Sequence, residues 1–287
     1  MKDVPSKEIR VGGLTIGGDS GLVLIAGPCV IEGKQMVHDL AGRLKEIAAE
    51  AGIPLIFKAS YDKANRTSLH SYRGPGLHEG LEILMRVKRN FGIPVLADVH
   101  RFEEIESAAE VLDIIQIPAF LCRQTDFLLE VARAGRPVNL KKGQFLSPHD
   151  VAPAVKKIVS TGNPDVLVTE RGTVFGYNNL VVDMRSLVIL HEMGCPVVFD
   201  ATHSVQLPGG QGSASGGERK YVPPLARAAA AAGIDAVFME VHQDPDRALC
   251  DGPNSLKLSD LGPLLRQLLH IAKHRSGTMG GGADAGP

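Results

Sequence analysis

The chain has 287 residues, 44% of them hydrophobic and 22% charged, which is the composition of an ordinary globular protein and excludes a disordered or fibrous one. Its 31 basic and 32 acidic side chains leave a formal net charge of −1, which argues against a nucleic-acid surface. The longest apolar run, Leu22 to Ile31, is about half of the roughly 20 residues that span a bilayer, and Gly27 and Pro28 interrupt it, so no membrane segment is expected. The opening MKDVPSKEIRVGG lacks the apolar stretch of a secretory signal, and Cys29, Cys122, Cys195 and Cys250 form no CxxC pair. A reducing cytoplasm is therefore the expected compartment.

In chain order, two short apolar pieces about a Gly pair within residues 8–20 predict a β-hairpin capping the bottom of whatever follows. Eight strand-like runs come next: Leu22 to Cys29, Leu55 to Ser60, Val95 to His100, Ile114 to Phe120, Val138 to Lys142, Val166 to Arg171, Val197 to His203 and Ala236 to His242. Five of them are preceded closely by the same joint, Gly-x-Pro, at Gly52, Gly92, Gly135, Gly162 and Gly194. Gly suits the left-handed residue that ends a helix, and the following Pro prevents the helix from continuing. Between the runs the spacing is helical, as in the stripe Met36, Val37, Leu40, Leu44, Ile47 and Ala48. Eight alternations of strand and helix predict an α/β fold, a (β/α)8 TIM barrel over residues 1–275, with a glycine-rich, disordered tail at 276–287. An open doubly wound sheet would need a glycine-rich phosphate turn, and neither GxGxxG nor GxxxxGK[ST] occurs. Two connections, Tyr61 to Gly76 and Ser204 to Tyr221, are long enough to be functional, and the second reads as a mobile lid.

In a closed parallel barrel both strand faces are covered, so charges near the strands' C-terminal ends need a reason. Period-two alternation pairs Lys58 with Ser60, Asp98 with His100, Asn139 with Lys141 and Glu240 with His242 on inward faces, while Gln116, Glu170, Arg171, Asp200 and His203 end the remaining strands. Lys142 is expected on the outside, solvated. Lys58, Lys63, Arg66, Arg73, Arg123, Lys141 and Arg171 all lie at or just beyond strand ends of a neutral chain, which predicts a cationic mouth for a substrate with more than one anionic group. Cys29, His203, Glu240 and Asp251 also converge on that end, and a thiolate, an imidazole and two carboxylates suit a divalent metal ion, Zn, Fe(II) or Mn. The spacing carries no motif, so Cys29 as a small buried residue stays open at this point.

The segments FKASYDKANRTSLHSYRGPGL, ADVH, IQIPAFLCRQTD, KKGQF, ERGTVFGYNNLVVDM, FDATHSVQ, ASGGER and CDGPNSL, in this order, resemble the Kdo-8-phosphate synthases (3-deoxy-D-manno-octulosonate-8-phosphate synthases). That family condenses phosphoenolpyruvate with arabinose 5-phosphate and releases inorganic phosphate, toward the Kdo sugar of bacterial lipopolysaccharide. The resemblance implies that Lys58, Ser60, Lys63, Gln116, Ala119, Lys141 and Arg171 line the phosphoenolpyruvate site, and that Asn65, Asp98 and His100 face the sugar. It implies that Arg66 and Thr67 hold the sugar phosphate across a subunit boundary in a homotetramer. His203, Asp251, Lys58, Lys63 and Asn65 are the residues expected to carry catalysis, the first two as proton relays. The family has metal-requiring and metal-independent branches with Cys or Asn at the position of Cys29, so Cys29 implies the metal-requiring branch, with His203, Glu240 and Asp251 as the other ligands. The rival readings are a sister synthase that uses erythrose 4-phosphate or an N-acetylated mannose, a Schiff-base aldolase on Lys58 or Lys141, and a noncatalytic sugar-phosphate-binding protein.

Overall fold

The computed structural model describes residues 4–66, 68–209 and 216–275. Strands β1 (Glu8–Val11) and β2 (Leu14–Gly17) form the antiparallel hairpin expected at the N-terminus. The barrel strands are β3 (Val23–Gly27), β4 (Leu55–Lys58), β5 (Val95–Asp98), β6 (Ile114–Ile117), β7 (Val138–Lys141) and β8 (Val166–Glu170). After a short ribbon of β9 (Thr173–Val174) and β10 (Leu180–Val181), β11 (Val197–Asp200) continues the barrel. A second ribbon pairs β12 (Gln206–Leu207) with β13 (Gly216–Gly217), fastening the two ends of the second long loop. Strand β14 (Ala236–His242) closes the circle by pairing with both β11 and β3, and the short β15 (Leu256–Lys257) extends from it. All eight barrel pairings are parallel. Helices α1 (Lys34–Ala51), α2 (Leu77–Phe91), α3 (Ile105–Val111), α4 (Thr125–Arg133), α5 (Ala152–Ser160), α6 (Arg185–His191), α7 (Val222–Ala232) and α8 (Leu258–Arg275) accompany them. The (β/α)8 barrel is thus the observed architecture. Residues 276–287, Thr67 and the central part of the expected lid lie outside the described residues.

The Gly-x-Pro joints act as read. Gly52 and Gly92 end α1 and α2 in the left-handed conformation, with φ of 72° and 63°, and their backbone N–H groups close the last helical turns. Most strands are shorter than the apolar runs because the ladder stops where the chain bends toward the loops. Pro118 interrupts the fourth run, just past β6, and the backbone N–H of His203 turns onto Asp200 Oδ1 at 2.9 Å instead of pairing with a neighbouring strand. Alternation along the strands produces two cores. Outward residues such as Leu24, Phe57, Ala97 and Leu140 pack against the helices. Inward residues of the lower half, including Ile25, Ile56, Leu96, Leu167 and Val198, fill the barrel and meet Ile9, Val11 and Ile16 of the hairpin, which plugs the bottom. The same inward rows turn polar one step higher, at Lys58, Asp98, Gln116, Asn139, Thr169, Asp200 and Glu240, all buried.

Lys142 corrects an expectation. It points outward, as alternation requires, but it is fully buried rather than solvated. Its ammonium donates to Leu146 O and Thr173 Oγ1, each at 3.0 Å, and lies 3.5 Å from Glu170 Oε1, also outward. Glu170 in turn accepts from the backbone N–H groups of Arg171 and Gly172 and from Ser186 Oγ. The outward face at the top of β7 and β8 is covered by the following loops and α6, so both charges are buried and must be paired.

Gly27 has no room for a side chain, since a Cβ there would stand 1.9 Å from the carbonyl oxygen of Lys58 on the neighbouring strand. Gly27→Ala is expected to cost about 1–3 kcal/mol in urea-unfolding experiments, whereas Gly21→Ala, whose Cβ meets nothing within 4 Å, should stay within about 0.5 kcal/mol of the wild type. Equal stability of the two variants would contradict this packing.

Candidate active site

Above the polar layer the strands' C-terminal ends and their loops enclose a cavity of about 230 Å3. Lys58, Lys63, Asn65, Arg66, Asp98, His100, Gln116, Ala119, Lys141, Arg171, His203 and Asp251 all line it. Ser60, Cys29 and Glu240 lie in the layer immediately beneath, in contact with lining residues. The first long loop contributes Lys63, Asn65 and Arg66, and its dense polar sequence is explained by that position. Two expected cations do not take part. Arg73 is bound to Asp62, Nε to Oδ1 at 2.8 Å, and Arg123 is exposed outside the cavity. His242 shares the inward row of Glu240 but sits above it and is drawn to Glu32, Nε2 to Oε2 at 3.6 Å.

Every buried charge here has a partner. Lys58 Nζ donates to Ser60 Oγ at 3.0 Å and to Glu240 Oε1 at 3.3 Å, and Ser60 Oγ donates to Asp98 Oδ1. Asp98 Oδ2 meets His100 Nε2 at 2.9 Å. Burial works against the charge of Asp98, but the hydrogen bond and charge of His100, with Lys58 and Lys63, hold the carboxyl well below the usual range. Glu240 is buried too, and the charges of His203, Lys63 and Lys58 keep it ionised. Lys141 forms an ion pair with Asp200 and stands 3.8 Å from the centre of the Phe238 ring. Burial nonetheless brings its ammonium down to about 8, against the pull of Asp200 and with the help of the nearby Lys58 and Arg171.

Asp200 also accepts from His203 Nδ1 at 2.7 Å, which orients the imidazole and leaves Nε2 facing Glu240 Oε1 at 3.6 Å and Asp251 Oδ2 at 3.7 Å. Cys29 Sγ is 3.4 Å from Asp251 Oδ2. Bonds of about 2.0–2.3 Å to a four-coordinate ion set its donors about 3.3–3.8 Å apart, so these spacings fit one. Glu240 Oε2 is buried with no hydrogen-bond partner among the described residues, which leaves a second carboxylate oxygen to be satisfied. His203, Glu240 and Asp251 therefore form a donor set that can hold a metal ion, Cys29 and Cys250 form a second group with the same Asp251, and an imidazole anchored through its other nitrogen is typical of such sites.

Three features were not assigned from sequence. Gln206 accepts from Arg171 Nη2 at 3.0 Å, and Gln144 lines the cavity with its buried Oε1 unpartnered. Gln144 lies in a turn and Gln206 in the two-residue strand β12, both too short to have a periodicity that indicates a direction, although the motifs KKGQF and FDATHSVQ contain them. Cys250 Sγ touches Cys29 Sγ at 2.7 Å and accepts from Arg66 Nη1 at 3.0 Å.

A sequence model of the DAHP synthetase I family matches residues 4–275. The chain belongs to this family. Within the DAHP synthetase I family it is similar to proteins named 2-dehydro-3-deoxyphosphooctonate aldolase, the family its motifs resemble. The one from Geotalea daltonii is 63% identical over 265 residues, covering 92% of this chain and 97% of that protein. The one from Geobacter sulfurreducens is 62% identical over 266 residues, 93% and 98% of the two chains, and that from Syntrophobacter fumaroxidans is 61% identical over 264 residues, 92% and 91%. Among the described residues no helix is long and apolar enough to cross a membrane.

Because Lys141 loses its charge as pH rises through about 8, binding of an anionic substrate to the free enzyme should weaken above that point. The log of kcat/KM for the phosphorylated substrate is expected to fall by up to about one per pH unit there. Lys141→Arg, whose guanidinium keeps its charge, should shift the fall by at least about one unit upward. A profile identical in the two proteins would assign the fall to another group.

Proposed function

We propose that this chain condenses phosphoenolpyruvate with D-arabinose 5-phosphate and water to 3-deoxy-D-manno-octulosonate 8-phosphate and inorganic phosphate, the transferase reaction of a 3-deoxy-8-phosphooctulonate synthase, in lipopolysaccharide biosynthesis. The observation that carries the reading is five cations, Lys58, Lys63, Arg66, Lys141 and Arg171, in one cavity that also adjoins the Cys29, His203, Glu240 and Asp251 donors. Two phosphorylated substrates and a divalent ion account for all of them.

Lys58, Ser60, Lys63, Gln116, Ala119, Lys141 and Arg171 hold phosphoenolpyruvate, with the cations on its carboxylate and phosphate. Asn65, Asp98 and His100 face the sugar, and Arg66 with Thr67 takes the sugar phosphate across a boundary with a neighbouring subunit of a homotetramer. The exposed Phe120, Phe145, Phe175 and Tyr177 on the loops around the mouth favour such an assembly. C3 of phosphoenolpyruvate attacks the aldehyde carbon of the sugar, water adds at C2, and phosphate leaves from the resulting hemiketal with its bridging oxygen. Clamping both reactants in attack geometry supplies roughly 7–11 kcal/mol of the barrier. His203 and Asp251 carry the protons of the attacking water and the new hydroxyl. A divalent ion at the four donors, Zn, Fe(II) or Mn, supplies Lewis acidity and a template for the aldehyde or the water. No lysine adduct is needed, so borohydride should trap none. The reaction belongs in the cytoplasm, whose reducing poise keeps the four free thiols as they are.

The test is release of phosphate from phosphoenolpyruvate with arabinose 5-phosphate. Stripping with a chelator should lower the rate at least about tenfold and Mn(II) should restore it, while Cys29→Ala should lose about tenfold or more with the ion present. Replacing the pentose by erythrose 4-phosphate should likewise cost at least about tenfold. Full activity in chelator would remove the metal from the account, and faster turnover with erythrose 4-phosphate would replace its substrate.

A further inference from the structure

Of the four thiols, only Cys250 and Cys29 are neighbours among the described residues. Cys29 lies just past the end of β3, and Cys250 lies in the loop between β14 and β15, 221 positions away, yet their sulfurs are 2.7 Å apart. A disulfide bond measures about 2.03–2.05 Å, so the two sulfurs need to approach by only about 0.7 Å to bond. The loop that presents Cys250 is fixed in place. Asp251 takes a left-handed backbone conformation, φ 49°, which Asp tolerates better than most residues, and its main-chain oxygen accepts from Asn254 N and Ser255 N. Arg66 donates to Cys250 Sγ at 3.0 Å and so helps to hold this side chain beside Cys29. Both sulfurs are buried beneath the cavity, and Arg66 and Asp251, the residues that touch them, line it. Cys122 and Cys195 are buried elsewhere, Cys122 beside Gly143 and Cys195 in the joint before β11.

We propose that Cys29 and Cys250 are an oxidative modification site: hydrogen peroxide converts the two thiols to a disulfide that switches the adjoining donor set off. The Cys250 sulfur attacks one peroxide oxygen, the O–O bond breaks, and water leaves behind a sulfenic acid. The Cys29 sulfur then attacks that sulfur and expels a second water. The two thiols lose two electrons and two protons, and one peroxide becomes two waters. A disulfide sulfur is neither a thiolate nor a ready metal ligand, so the bond withdraws Cys29 from His203, Glu240 and Asp251 and takes from Arg66 its acceptor. The loss of activity rests on the function proposed above; the disulfide does not.

The full-length chain is treated with chelator and then hydrogen peroxide, its free thiols are alkylated, and its peptides are mapped without reduction. A linked Cys29–Cys250 peptide, with Cys122 and Cys195 still alkylated and the link removed by dithiothreitol, is the expected result. Sulfinic acid on either residue without a link, or a link that involves Cys122 or Cys195, would overturn the proposal. In the second arm, phosphate release assayed with Mn(II) should fall at least fivefold as the link accumulates and return with dithiothreitol; a link that leaves the rate unchanged would overturn the switch. Cys250→Ser, whatever rate it starts from, should show no dithiothreitol-reversible loss, and reversible loss in that variant would also count against the pair. A chain that forms the link but never releases phosphate, before or after reduction, would refute the proposed function and leave the modification site standing.

Discussion

A charge placed inside a closed barrel is cut off from water, and its desolvation is costly unless an opposite charge or a hydrogen bond is delivered to it. The strands of this barrel meet that demand through a single geometric property, the period of two. Inward positions are filled by Ile25, Ile56, Leu96 and Val198 at one level and by Gly27, Lys58, Asp98 and Asp200 two residues later. The register therefore stacks a dry layer, sealed from below by Ile9, Val11 and Ile16, under a layer in which every barrel strand except β3 brings a polar group able to answer its neighbours. Thr169, Asn139 and Gln116 do this without charge, as a hydrogen-bonded row across β8, β7 and β6.

The charged members are balanced but not saturated. Lys58, Lys63 and Lys141 are held by Glu240 and Asp200, yet Arg171 Nη1, Glu240 Oε2 and Gln144 Oε1 have no partner among the described residues. Such open valences are expensive in a closed core and useful in a mouth, because a ligand can complete them without first breaking an internal pair. Asp200 joins the two halves of the site. One carboxylate holds both the Lys141 ammonium and the His203 imidazole, so the positions of the two are set together.

Much of this was legible in the sequence, and the reasons are local. Strand and helix order, the hairpin plug, the inward placement of Lys58, Asp98, Lys141 and Glu240, and the convergence of Cys29, His203 and Asp251 all follow from periodicity, from the Gly-x-Pro joints and from the rule that loops after barrel strands meet. What alternation does not give is what covers a face or which partner wins a side chain. Lys142 is on the outside, as its parity requires, but the loops and α6 bury it against Glu170. Arg73 has the position of a binding cation but is held by Asp62, and His242 is diverted by Glu32. Gln144 comes from a turn and Gln206 from a two-residue strand, neither long enough to have a period to read, and the contact of Cys250 with Cys29 depends on the backbone turn at Asp251.

The most direct test of the central claim, that one carboxylate positions both halves of the site, is to measure phosphoenolpyruvate and Mn(II) binding separately by calorimetry in Asp200→Asn, confirmed folded by circular dichroism. Loss of the shared anchor should weaken both affinities, each by about 10–100-fold, since outer partners of metal-site imidazoles carry effects of that size. If only one affinity falls, or neither does, the two halves are positioned independently and Asp200 is not the link between them.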